Sequence, residues 1–415
     1  LKANANFLRV LAVLSTAIVV SSGCEDSYVF PNEAPSNLSI IKPSCYVTGG
    51  QEVALTATAT DEDGDPIYYR WTTTAGSFDP EDGMGQTVTW TASNDPGPAV
   101  ITLIVTDEIE ESSLQTTIEI GGGFPVNIVT NEPLSDAVAD SGYVYILNLQ
   151  PVEIPAGMTF TIMEGVRMVA RGTNSGFEVD GTLLIEGTEE NPVTMGPDDC
   201  VPVAGSWAGI AFRSIGAAGT ITYLQLHAAD IGLLVTSGAD IVISNSSLVN
   251  NSLYGIEVSD GGSAVVSGCT LWENQTGLYL RNGHLTLERS SLRYNEYAGV
   301  VMSAVNETFA PPITHCSVSS NAEYGFDIAG HIMPEIHYNA IFSNGIGAAV
   351  CGISLGAFQG ADSIRAENNF WGLGYTTEEE VPALIYDAHD APGVIEAYVG
   401  FIPVLTEMPP EVPNP

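Results

Sequence analysis

Lysine is almost absent from this chain. Lys2 and Lys42 are the only two, and lysine and arginine together number 11 against 50 aspartates and glutamates, for a net charge of -39. Phosphate binding needs clustered cations, so nucleic acid is excluded as a partner. The acidic excess reads as solvation, which keeps exported proteins apart and hydrated. Cysteine is scarce too, with six in the chain and no C-x-x-C pair. Cys45, Cys200, Cys269, Cys316 and Cys351 are widely spread, which reads as neither a disulfide framework nor a zinc site. Long helical periodicities are missing. The apolar run over residues 10–20 has 11 positions, too few to span a bilayer but enough for a signal-peptide core. What is plentiful is glycine (43) and proline (24). With Ala, Val, Ile, Thr and Ser dominant, this is the composition of an all-β chain with many turns.

Lys2 and Arg9 flank the apolar run, and Ser21-Ser22-Gly23-Cys24 follows it. Small residues leading into a cysteine resemble the bacterial lipobox, although Ser21 stands where that pattern prefers Leu. The resemblance implies a signal peptide over 1–23 and acylation of Cys24. It also implies a short polar tether over 24–36 and residence in the cell envelope, as an outer-membrane lipoprotein on the surface or periplasmic face. The competing reading is an ordinary secretory signal with Cys24 incidental.

Residues 37–122 carry short alternating strands, seen at 53–59, 68–72 and 100–106, which suit an Ig-like β-sandwich. Asp61-Glu62-Asp63-Gly64-Asp65-Pro66, the Tyr69-x-Trp71 strand and Val105-Thr106-Asp107 resemble bacterial Ig-like modules of the PKD/cadherin-like type. Asp61, Asp63 and Asp65 are the best metal candidates. Oxygen ligands at alternating positions before a Gly turn can hold Ca²⁺, but Asp-Gly runs are also simply good turns. Gly121-Gly122-Gly123 reads as a hinge.

From 125 to 376 the chain repeats. Ser246-Ser247-Leu248-Val249-Asn250-Asn251 aligns with stretches ending at Asn274, Asn295, Asn321 and Asn344, at steps of 23, 21, 26 and 23 residues. A glycine follows each Asn, at Gly255, Gly277, Gly299, Gly325 and Gly347, and opens an apolar alternation. A period of about 22 residues fits stacked coils, not propeller blades or leucine-rich repeats. Stacking places equivalent positions about 4.8 Å apart. Leu226, Leu248, Leu271, Leu292, Val318, Ile341 and Phe370 then form one interior stripe, and Asn251, Asn274, Asn295, Asn321 and Asn344 form an amide ladder. Asn also suits the left-handed backbone of a sharp turn. These are the marks of a parallel β-helix. Gly181-Thr182-Leu183-x-Ile185-x-Gly187-Thr188, Trp207-x-Gly209-Ile210 and Asn368-Asn369-Phe370-Trp371-Gly372 resemble right-handed parallel β-helix repeat proteins of the pectate-lyase-like superfamily on bacterial surfaces. Right-handedness comes from that resemblance and from crossover chirality. Residues 377–415 read as a cap and tail with a short helix over 378–386.

The superfamily includes enzymes that cleave polysaccharides, so catalytic groups must be weighed. No lysine follows Lys42 to neutralise a uronate, and only Arg281 lies just after a Gly-led strand. The outward position two after each Gly reads Glu257, Tyr279, Val301, Asp327. Glu257 and Asp327 fall three coils apart, roughly 14 Å, beyond the about 5–9.5 Å of a glycosidase pair. Tyr254 and Tyr324 stand just before Gly255 and Gly325. Glu257, Tyr279, Arg281 and Asp327 are therefore read as a glycan- or protein-binding face on a monomeric, non-catalytic scaffold. The alternative is a polysaccharide lyase or glycoside hydrolase, and the third class is a purely structural envelope component. Aromatics in a line would favour binding; three polar groups within about 6 Å would favour catalysis. His315 and His337 are out of register with one another. Cys269 and Cys316, separated by Ser290, are read as buried thiols.

Overall fold

The computed structural model describes residues 32–121, 137–139, 144–198, 202–305, 310–345, 351–359 and 362–413. The expected signal segment 1–23, Cys24, most of the expected tether, Gly122, Gly123 and Cys200 lie outside the described residues. Among the described residues no helix is long and apolar enough to cross a membrane.

The N-terminal unit is a sandwich of two four-stranded sheets. One runs Ser36–Ile41, Glu52–Thr60, Thr87–Thr91, Ser77–Asp79, and the other Tyr46–Thr48, Glu111–Gly121, Gly97–Thr106, Tyr68–Thr73. Period-2 alternation sends Val53, Leu55 and Ala57 inward while Glu52 and Ala54 stay exposed. Trp71 and Trp90 fill the centre. Each indole N–H donates to a carbonyl, of Gly85 at 2.9 Å and Ala75 at 3.0 Å, so neither is buried unsatisfied.

The second unit is a parallel β-helix of three sheets with 9, 10 and 11 strands. One turn shows the plan. The strand Tyr254–Ser259 belongs to the ten-stranded sheet, here the front sheet; Ser263–Ser267 to the eleven-stranded back sheet; Thr270–Trp272 to the nine-stranded side sheet; and Thr276–Arg281 returns to the front. Sharp corners flank the side sheet. Tyr223, Asn245, Arg289, His315 and Tyr338 lie at one edge, and Asn250, Glu273, Tyr294, Ser320 and Ser343 at the other, all with φ between 46° and 58°. The left-handed residue is thus the one before each ladder asparagine, not the ladder residue itself. The corner only needs a residue that tolerates αL. The next position needs an amide.

Leu226, Leu248, Leu271, Leu292, Val318 and Ile341 pair in register and are buried in one continuous core. Burying each such side chain is worth about 1.5–3 kcal/mol, so the stripe is the main cohesive element. Its expected last member is corrected. Phe370 bridges Ala340 and packs outward with Val412, while the fully buried Trp371 joins the main core. The offset follows from Asn369, whose amide oxygen accepts from Asn339 N at 2.8 Å and so aligns the two asparagines.

Two further corrections concern the C-terminal end. The front-sheet partner of Tyr324–Gly330 is Ile353–Phe358, with Phe326 opposite Ile353, so Gly352 takes the place expected of Gly347. Residues 346–350 lie outside the described set. In place of a helix over 378–386 there is one 3-10 turn, Val381–Leu384, then the strand Ile385–Tyr386 pairing with Ile353 and Ser354. Pro382 has no N–H for a longer helix. Val399–Gly400 extends the back sheet in the same way.

Candidate functional site

The front sheet's outward column is Glu257, Tyr279, Val301, Asp327, Ser354, Tyr386, each opposite the next. Glu257, Tyr279 and Asp327 therefore share one column, with Glu257 and Asp327 three coils apart. Tyr254 stacks on Tyr279 with ring centroids 4.7 Å apart and planes 8° from parallel. One face of each ring is used by the other. Arg281 is exposed and paired with Asp260 at 3.1 Å, so it is a solvated ion pair of small energetic weight. Burial, then the neighbouring Tyr279 and Glu257, raises the Tyr254 hydroxyl above its usual pKa.

The other half of the face is tighter. Tyr297 donates its hydroxyl to Asp327 Oδ2 at 2.7 Å and meets the Tyr324 ring edge-on at 5.4 Å between centroids. Desolvation raises the Asp327 carboxyl above the ordinary range, partly offset by that hydrogen bond. Tyr297 and Tyr324 are raised as well, by burial first and by the Asp327 charge among the further causes. A tyrosine held neutral this firmly is a hydrogen-bond donor and a poor base. Tyr297 was not singled out from sequence. The available signal was Ala298, which pairs with Tyr324, because the residue before it then falls beside a known tyrosine.

The asparagine ladder is continuous. Asn251, Asn274, Asn295 and Asn321 each donate a side-chain amide to the next Asn Oδ1, at 2.8, 3.3, 2.8 and 2.8 Å. A second, mixed ladder runs along the opposite edge of the side sheet: Leu224 N to Ser246, Cys269 N to Ser290, Cys316 N to Asn339. Cys269, Cys316 and Cys351 are free and buried. Burial pushes each thiol up to about 12, so none is a nucleophile. Cys45, by contrast, is disulfide-bonded, so one bond exists where the spread of the cysteines reads as no disulfide framework.

Asp61, Asp63 and Asp65 bring carboxylate oxygens within 4.8 Å of one another, the one such set found among the described residues. Asp61 Oδ1 accepts from the backbone N–H of Asp63 and Asp65 at 3.0 and 3.1 Å, while its buried Oδ2 has no partner. The donor set suits a hard cation. His315 stacks on Tyr338 and His337 lies against Glu367, so the two do not converge.

Residues 208–370 match the family described as right handed beta helix region, and residues 37–120 match the PKD domain. No curated protein matches the chain. Two crystal structures of point mutants of a periplasmic alginate epimerase, AlgG, are similar at 13% identity, covering 65% of this chain and 78% of that one, with TM-scores of 0.37 and 0.34. Likeness at that level transfers none of the epimerase's chemistry. The N-terminal sandwich is thus a PKD-type module, and the body of the chain is a right-handed parallel β-helix.

Proposed function

We propose that the front-sheet face binds an extended glycan without cleaving it, and that a lipid at Cys24 anchors this display to the cell envelope. The observation that carries the binding reading is the line of Tyr254, Tyr279, Tyr297 and Tyr324 on one face, with Glu257 and Asp327 spaced along it. Hydroxyls and carboxylates repeated from coil to coil meet successive sugars of a long chain, each contributing modestly. Cleavage would need the groups to meet at one bond. Glu257 and Asp327 stay roughly 14 Å apart on the coil spacing, and the β-helix body has no lysine.

The purified protein is expected to retain oligosaccharides on a glycan array, and Tyr279→Ala to weaken retention about fivefold, the equivalent of ~1 kcal/mol. Unsaturated products and new reducing ends should stay at background over pectin, alginate, glycosaminoglycans and neutral glycans. Retention of nothing on the array, or no effect of Tyr279→Ala, counts against the site.

One observation favours the second reading, a polysaccharide lyase or hydrolase. Tyr297, Asp327 and Tyr324 form a tight polar cluster around a carboxyl with a raised pKa. Such a carboxyl holds its proton more readily than a free aspartate does, which suits a general acid. Turnover abolished by Asp327→Asn or Tyr297→Phe would establish that reading in place of simple binding.

The anchor has its own test. Two acyl chains hold a protein on a membrane where one does not. Wild-type protein is expected in the membrane fraction and Cys24→Ala in the soluble fraction; a soluble wild type would end the lipoprotein reading. Calcium at Asp61, Asp63 and Asp65 is expected to raise the sandwich's melting temperature, an effect removed by chelator and by Asp61→Asn. Identical melting with calcium and with chelator would dismiss the site.

A further inference from the structure

Charge is spread unevenly along the front-sheet face. Among the described residues, the front strands and their flanks hold two arginines and no lysine, and both arginines are taken. Arg213 pairs with Glu178 at 2.7 Å and Arg281 with Asp260 at 3.1 Å. At the Tyr254 end the positive charge of Arg281 works against that of Glu257. At the Tyr297 end there is no such balance. Asp327 accepts the Tyr297 hydroxyl through Oδ2 at 2.7 Å, and its Oδ1 accepts from no described residue. Burial raises the hydroxyls of Tyr297 and Tyr324, and the charges of Asp327 and the exposed Glu323 raise both further. No ion pair reaches Glu257, Asp327 or Glu323 among the described residues. A half-buried carboxylate without a counter-ion has lost hydration, and a ligand that brings a positive charge restores the balance. The faces of tyrosine rings attract cations as well. A polyuronate meets the opposite: its carboxylates would be set beside Asp327 and Glu323 with no free cation to offset the repulsion.

We propose that Tyr297, Tyr324, Glu323 and Asp327 form an ammonium subsite, and that the glycan bound along the face is an amino-sugar polymer with free amino groups. The assignment rests on the glycan-binding reading and narrows it to one substrate class. A sugar chain is favoured over a basic peptide by the spacing of the rings. Tyr254, Tyr279, Tyr297 and Tyr324 stand in or directly before the front strands of four successive coils, about 4.8 Å from one coil to the next. That repeat suits a chain with one ring in every unit. The amino group decides the preference within sugars. Acetylating it removes the positive charge and keeps the ring and its hydroxyls, so the two forms of one polymer differ at the subsite alone.

Fluorescence polarisation of the full chain with end-labelled hexasaccharides tests this. The probes are glucosamine, N-acetylglucosamine and galacturonate hexamers, with labelled hexalysine beside them. The glucosamine hexamer is expected to bind about tenfold tighter than its acetylated form, and the galacturonate hexamer to give no signal. The preference should shrink as ionic strength rises from about 0.01 to 0.15 M, which shortens the screening length from roughly 30 to 8 Å. Asp327→Asn and Glu323→Gln should each bring the ratio of the two affinities toward one. Glu323 is exposed, so its isosteric replacement leaves folding out of the comparison. Equal affinity for the amine and acetylated hexamers, tighter binding of the galacturonate hexamer, or an unchanged ratio in both variants overturns the subsite and leaves glycan binding standing. Hexalysine bound as tightly as the glucosamine hexamer overturns the sugar assignment in favour of a basic peptide. Silence from all three hexasaccharides overturns this proposal and the binding reading together.

Discussion

Asn295→Leu is expected to lower the melting temperature of the β-helix by roughly 5–20 °C, measured by circular dichroism. Asn295 is 1% exposed and sits in the middle of the ladder. Its Oδ1 accepts from Asn274 N at 3.1 Å and Asn274 Nδ2 at 3.3 Å. Its own Nδ2 donates to Asn321 Oδ1 at 2.8 Å and to the Leu271 carbonyl at 3.2 Å. Leucine has the same branching and leaves no cavity, but its methyls are bulkier than the amide, so overpacking adds to the polar loss. Two donors of Asn274 are left buried without an acceptor, at about 1–3 kcal/mol each, and two acceptors lose one of their donors. The greater apolarity of leucine offsets little of this, because the slot is lined by amides. An unchanged melting temperature would mean that the ladder is ornamental and that the side-sheet stripe alone holds the coils.

The ladder and stripe were legible in sequence because stacking repeats one chemical demand every coil. Leu226 to Ile341 and Asn251 to Asn344 obey it without exception. Legibility ends where a coil departs from the period. The front strand after Asn344 begins at Ile353, and no local pattern reports the extra residues. Trp371 replaces Phe370 in the core because register there is set by Asn369, a member of the second ladder. That ladder mixes Ser, Cys and Asn, so it shows no single letter to the eye. On the candidate face only the column was legible. Outward positions follow from the two-residue alternation, which places Glu257, Tyr279 and Asp327. The hydrogen bond from Tyr297 depends on a corner residue bending over the next coil, and alternation does not describe corners. The hydrogen bond from Ser44 to Asp198 was invisible for a simpler reason: which surface of one domain meets another is not written in the periodicity of either.

Gly277→Ala is expected to destabilise the fold by at least as much as a core overpacking, about 1–3 kcal/mol or more, and Gly277→Val to prevent folding. The glycines after the ladder are there for space, not for an unusual backbone. A Cβ at Gly277 would lie 2.7 Å from the Gly299 carbonyl oxygen, 3.0 Å from Asn295 Nδ2 and 3.3 Å from a Leu292 methyl. Gly255 meets the Gly277 carbonyl at 2.7 Å and Gly325 meets that of Gly352 at 2.6 Å, so the same restriction recurs up the stack. A backbone oxygen cannot swing aside as a side chain can, because it belongs to the parallel ladder. Relief therefore requires the coils to separate locally, which loosens the asparagine bonds beside them. Gly157 makes a useful control, since it has φ +81° and open space around its missing Cβ. Gly157→Asn keeps the left-handed backbone at little strain and should melt close to wild type. The two ladders also predict coupling. Because the added methyl of Gly277→Ala presses on the Asn295 amide, its cost and that of Asn295→Leu share a contact, and the double variant should lose less than the sum of the two. Additive losses would show that the glycine column and the asparagine column hold the coils independently, and that the clash with the Gly299 carbonyl is absorbed without moving Asn295.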